Sequence, residues 1–136
     1  IISDNNVQGI VGFLHIHRYG AGAETTVYMP FARGDVVIQV AAADLFSGYN
    51  NQGVLITAVT DYINKTGKFY RNGVLFHSYT TAHVMLFPDS ARTKYIGSYD
   101  HGGNFMNGYI DDVRIYNRAL SASEIASIYN QTIEKY

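Results

Sequence analysis

Apolar positions recur with a period of two along most of the chain, the spacing of strands that bury one face. Val7 to His17 opens with an apolar run broken by Gly9 and Gly12. A Gly/Ala turn cluster follows Tyr19, and Thr25 to Met29 is β-branched and aromatic until Pro30 ends it. Arg33-Gly34-Asp35 reads as the next turn and Val36 to Val40 as a buried strand, before a polar loop from Ser47 to Gly53. Val54 to Thr60 and Lys68 to Arg71 predict two further strands, with Asp61 to Gly67 as the polar connection. Asn72-Gly73 then separates Arg71 from Val74-Leu75-Phe76. An Asn-Gly pair between apolar runs predicts a type I′ hairpin, because that turn needs positive φ at both central residues. Lys94 to Gly97 is another short strand, and Phe105 to Tyr116 holds the last one after a Gly/Asn-rich loop, Ser98 to Asn104.

Only the tail has helical spacing. Ser121 and Glu124 form a capping box, in which the Ser side chain accepts one free N–H and the Glu reaches back to another. Ile125, Ile128 and Tyr129 fall at i, i+3 and i+4, one apolar stripe for docking a short helix on a sheet. Many short strands with frequent turns and a single helix predict an all-β chain, an antiparallel β-sandwich with a short C-terminal α-helix.

Composition narrows the function. The 136 residues suit one domain, and 47% hydrophobic against 15% charged residues excludes a disordered chain. Ten basic and eleven acidic residues are scattered without a basic stripe, so no nucleic-acid partner is expected. No apolar run approaches the about 18 residues of a membrane span, so no membrane insertion is expected. The absence of Cys removes disulfides and thiol chemistry.

Residues 104–125 carry more than a pattern. Phe105, Gly108, Ile110-Asp111, Val113 to Tyr116, Asn117 to Ser121 and Glu124-Ile125 resemble the closing signature of laminin G-like, concanavalin A-like jelly-roll domains. Upstream, Gly53 to Asp61, Phe69 to Leu75 and Lys94 to Gly97 resemble three strands of that family, so the likeness covers about residues 53–130. It implies a jelly roll across residues 1–136, a single domain short of the family's N-terminal strand and early calcium-associated loop. Gln52-Gly53 stands where the family usually opens a strand with Trp. The resemblance also implies a non-catalytic recognition or adhesion module of an extracellular, surface or virion protein. It implies Ca²⁺ at Asp111 as the one cofactor, against the alternative that Asp111 accepts backbone hydrogen bonds in a loop crossing.

The side chains themselves give little support to catalysis. Neighbouring residues of a strand face opposite sides, so Asp111 and Asp112 cannot flank one bond as an acid/base pair. The alternating Glu-x-Asp-x-x-Glu strand of glucanases on this sandwich is absent, and so is a Gly-x-Ser-x-Gly elbow. His15 and His17, with Gly9, imitate the first metal motif of cupins, but no second motif follows. Two Asn-x-Thr sequons, at Asn64 and Asn130, matter only in a secreted chain.

Loop aromatics are the more useful signal. Tyr19, Tyr49, Tyr95, Tyr99 and His101 lie in or beside Gly/Asn-rich loops, with Asn104 among them. Rings that stack on a sugar face, next to amides that read hydroxyls, suit a glycan. The same Tyr rings also suit a plain covering of the rim. A glycan or surface protein is therefore the expected partner. The alternative is a self-associating structural or decorating unit of a fibre, capsid or surface layer, since a charge-poor, Tyr-rich surface favours interfaces.

Overall fold

The computed structural model of the chain describes residues 2–4, 15–19, 24–28, 40–41, 48–49, 52–61, 63–80, 94–97 and 108–134. The chain forms two compact units, each assembled from two stretches: residues 1–44 with 83–110, and 45–82 with 111–136. In the first, β1 (Ile2–Asp4) pairs antiparallel with β8 (Lys94–Ile96). A second sheet there has the order β2 (His15–Tyr19), β3 (Glu24–Tyr28), β4 (Val40–Ala41), again antiparallel. β1 is a strand the hydrophobic pattern does not announce. The readings of Val7 to Leu14 and Val36 to Gln39 as strand lie outside the described residues.

The second unit holds a three-stranded antiparallel sheet, β5 (Ile56–Asp61), β6 (Thr66–Arg71) and β7 (Val74–Thr80), followed by helix α1 (Ala122–Ile133). The Asn-Gly turn is as expected, with φ of +50° at Asn72 and +79° at Gly73. Asn72 also extends the β5–β6 ladder by one position. Its N–H donates to the Leu55 carbonyl at 2.9 Å, and its Oδ1 accepts the Leu55 N–H at 2.9 Å. The connection between β5 and β6 is closed by Asp61, whose Oδ1 accepts the Ile63 and Asn64 amides, both at 3.0 Å.

Pairing along β6–β7 shifts between Phe69 and Tyr70: Phe69 faces His77, but Tyr70 faces Leu75. Phe76 is therefore the extra residue of a β-bulge, a device that turns the bulged side chain away from the regular alternation. Two positions away on β6, Gly67 is buried beneath the Tyr79 ring of β7. A methyl group there would overlap the ring atoms. Gly67→Ala is expected to lower stability by about 1–3 kcal/mol, the usual cost of overpacking, read by chemical denaturation.

The core of this unit comprises Val59, Tyr70, Leu120 and Ile125, with Ile128 packed against them. Tyr70 and Phe69 are adjacent and both buried, so β6 buries side chains on both of its faces. The helix start follows its sequence signature. Glu124 N–H donates to Ser121 Oγ at 3.3 Å, and Ser121 N–H donates to Glu124 Oε2 at 2.8 Å. Leu120 before the cap and Ile125 in the first turn share the buried cluster, completing a hydrophobic staple.

Arg118 adds a two-pronged ion pair to Glu124, at 3.0 and 2.5 Å. This guanidinium first, and then the Ser121 amide and hydroxyl, pull the Glu124 carboxyl from its ordinary 4.5 to about 2. A depressed carboxyl stabilises the fold above its unfolded value, and that stability is lost as pH falls through the folded one. The thermal midpoint should therefore fall as pH drops from 4.5 toward 2. Glu124→Gln should flatten that segment of the profile, as followed by circular dichroism melts across the window.

The strand expected over 105–116 does not form in its described part, and residues 105–107 lie outside the described residues. Residues 109–116 hold no strand, although Val113 and Ile115 alternate with polar neighbours as a strand would require. Asp112 takes φ of +54°, which breaks the extended run. The turn is held by side chains: Arg114 Nε and Nη2 donate to Asp112 Oδ1 and Oδ2 at 3.0 and 2.8 Å. Thr132 Oγ1 of α1 lies 3.2 Å from the same Asp112 Oδ2 and 2.9 Å from the Ile128 carbonyl.

Candidate functional site

Of the residues singled out for glycan contact, Tyr49 is the one whose side chain takes part in a described cluster. It follows Gly48, which has φ of +80°, in a tight turn where the Tyr49 carbonyl accepts the Gln52 N–H at 3.1 Å. That turn presents its ring to Arg71 at the end of β6, with the guanidinium carbon 5.1 Å from the ring centroid. The same carbon lies 4.8 Å from the Phe76 centroid, the ring that the bulge redirects. All three side chains are half-buried. Two aromatic rings thus flank the Arg71 guanidinium beside the Asn72-Gly73 turn, an arrangement favoured by the ring quadrupoles.

The rest of the expected set is dispersed or undescribed. Tyr19 ends β2 opposite Glu24, and Tyr95 sits within β8 opposite Ser3. Tyr99, His101 and Asn104 lie outside the described residues. His15 and His17 occupy alternate positions of β2, opposite Tyr28 and Thr26. Arg71 and Phe76 are contributors that the sequence reading misses. The available signal was the Asn-Gly turn itself, which fixes its flanking residues in space. The register shift that redirects Phe76 has no local signature.

Three of the described acidic residues, Asp61, Asp112 and Glu124, are committed to the fold. Asp61 is held below its ordinary 3.8, chiefly by the Asn64 amide, and its Oδ2 also accepts Asn64 Nδ2 at 2.7 Å. Asp112 binds Arg114 and Thr132, and Glu124 caps α1. Asp111 is exposed, and its Oδ1 accepts the Asp112 N–H at 2.7 Å. Among the described residues, no three His, Cys, Asp or Glu side chains gather as a metal site. A Ca²⁺ ion takes about six to eight oxygens. At Asp111 it would have to recruit backbone, water or residues beyond those described. Among the described residues, no helix is long and apolar enough to cross a membrane.

The family model of the concanavalin A-like lectin/glucanases superfamily, of laminin G type, matches residues 12–126. No curated protein matches the chain. A solved structure, an S-layer domain-containing protein from Clostridium thermocellum ATCC 27405, is 23% identical with a TM-score of 0.49. The likeness covers 78% of this chain and 51% of that one, so the chain spans about half of the solved protein's length.

Proposed function

The chain belongs to the concanavalin A-like lectin/glucanases superfamily, and we propose that it is a non-catalytic recognition or adhesion module that binds carbohydrate. In this reading its sheets form one jelly-roll sandwich, part of a larger extracellular, surface or virion protein. The observation that carries it is the Tyr49–Arg71–Phe76 cluster, in which two half-buried aromatic rings gather at the Asn72-Gly73 turn. Aromatic faces take the apolar face of a sugar. Tyr19, Tyr95, Tyr99, His101 and Asn104 are proposed as sugar contacts in their own right. The word non-catalytic rests on the missing glucanase carboxylates.

A glycan array tests this reading. The wild-type chain is expected to bind a defined subset of glycans. Tyr49→Ala should weaken that binding roughly tenfold, in line with the loss of one stacking contact and its buried area. A folded wild-type protein blind to every glycan would contradict the proposal.

Calcium at Asp111 belongs to the same proposal. It predicts heat on Ca²⁺ titration and a raised melting temperature, both lost in Asp111→Asn. No heat and no thermal shift would remove the metal without touching the sugar site.

A second reading, a self-associating building or decorating unit, draws on exposed apolar side chains. Tyr109 is fully exposed, Ile115 is 64% exposed, and Val113 and Tyr116 are exposed beside it. Sedimentation at several concentrations separates the two: a glycan-binding monomer supports recognition, and a glycan-blind assembly supports the building unit.

A further inference from the structure

We propose that Asn64 is the acceptor of an N-linked glycan and that Asn130, the second Asn-x-Thr position, is not. The proposal rests on the extracellular or surface placement above, since such glycans are added to chains on their way out of a cell.

Asn64 and Lys65 lie in the connection between β5 and β6, and Thr66 opens β6 opposite Asp61. Asn64 is exposed in that turn, Ile63 before it is 91% exposed, and Lys65 after it takes φ of +51°. The Asn64 Nδ2 donates to Asp61 Oδ2 at 2.7 Å. That nitrogen carries two hydrogens, and a glycan replaces one of them. The bond to Asp61 can therefore survive the modification, and the turn keeps its shape around the added sugar.

Asn130-Gln131-Thr132 has the same spacing in a different setting, for all three residues lie within α1. Thr132 Oγ1 donates to the Ile128 carbonyl at 2.9 Å and lies 3.2 Å from Asp112 Oδ2. A transferase reads the hydroxyl two residues after the acceptor, and here that hydroxyl is engaged on both sides. Freeing it means unwinding a helix that is docked through the buried Ile125. An exposed turn opens at a smaller cost than a docked helix. Transfer therefore selects Asn64.

The sugar donor is an oligosaccharide carried on a polyprenyl diphosphate. The bond from its anomeric carbon to the diphosphate oxygen breaks, and the same carbon bonds to Asn64 Nδ2. The displaced Nδ2 proton passes to a base of the transferase, and the polyprenyl diphosphate leaves. The glycan, bulky and solubilising, then covers the exposed Ile63.

The test is secretion of the full chain, behind a signal peptide, from a eukaryotic cell, followed by peptide mass mapping. Enzymatic release of an N-glycan by an amidase leaves an aspartate at the acceptor position, which locates the site. The expected mark is at Asn64 and absent from Asn130. Asn64→Gln and Thr66→Ala should lose it, whereas Thr66→Ser and Asn130→Gln should keep it.

An unmodified secreted wild-type chain, or a mark at Asn130 alone, would overturn the proposal. Marks at both positions would keep Asn64 and overturn the selection by the helix. Should a variant fail to be secreted, the map of the wild type still decides. The host supplies the compartment, so failure here removes the site and leaves the extracellular reading standing. A wild-type chain blind to every glycan on the array would leave Asn64 untouched.

Discussion

Ile125→Ala is expected to destabilise the chain by about 2–5 kcal/mol, the range for removing a fully buried aliphatic side chain and leaving a cavity. Ile125 is 0% exposed, and its neighbours are Val59 of β5, Tyr70 of β6 and Leu120 of the staple. The capping box and the Arg118–Glu124 ion pair still hold the helix start, so that it cannot collapse freely inward. The loss should therefore sit in the upper part of that range. Ile133→Ala is the internal control, since that side chain on the same helix is 54% exposed. It should change stability by less than about 0.5 kcal/mol, as surface substitutions usually do. Urea unfolding of both variants measures the difference. Equal effects would mean that α1 is not docked through Ile125.

Gly73→Ala is the second large effect, expected at about 2–4 kcal/mol from two separable causes. The first is backbone strain, because φ at Gly73 is +79° and an L side chain resists that region. The second is space. A Cβ on Gly73 would lie 3.0 Å from Tyr129 Cβ and 3.3 Å from Ala126 Cα, which places the hairpin tip directly against the backbone of α1. Gly48→Ala isolates the first cause, since φ there is +80° and nothing lies within 4 Å of the added methyl group. Gly53→Ala carries neither cost, having open space and no positive φ, and should be neutral. The order Gly73, Gly48, Gly53 in denaturation free energy is the expected result. A Gly73 variant no worse than Gly48 would show that the tip and the helix do not touch.

These two positions also show what the sequence makes legible. The Asn-Gly turn, the capping box and the stripe of Ile125, Ile128 and Tyr129 are local signals, set by residues within four positions of one another. Each appears in the structure as expected. The alternation of Val113 and Ile115 is equally local, yet it fails to give a strand. A positive φ at Asp112, secured by Arg114 and by Thr132 twenty positions away, overrides the pattern. The candidate site is less legible still. Tyr49 was readable as a loop aromatic, but its meeting with Arg71 joins residues far apart in the chain. The redirection of Phe76 depends on how β7 slips against β6, and neither strand alone records that. The family likeness shows the same division. Its motifs are dense after residue 53, whereas the family model extends the match forward to residue 12.

Carbohydrate recognition at Tyr49, Arg71 and Phe76 is the central claim. Its most direct measurement is a nuclear magnetic resonance titration of the labelled chain with the glycans retained on the array, following the Arg71 Nε–H and the ring signals of Tyr49 and Phe76. Saturable shifts concentrated at these three residues and at Asn72 are the predicted result. A glycan that binds without moving them, or shifts confined to other residues, would contradict the account.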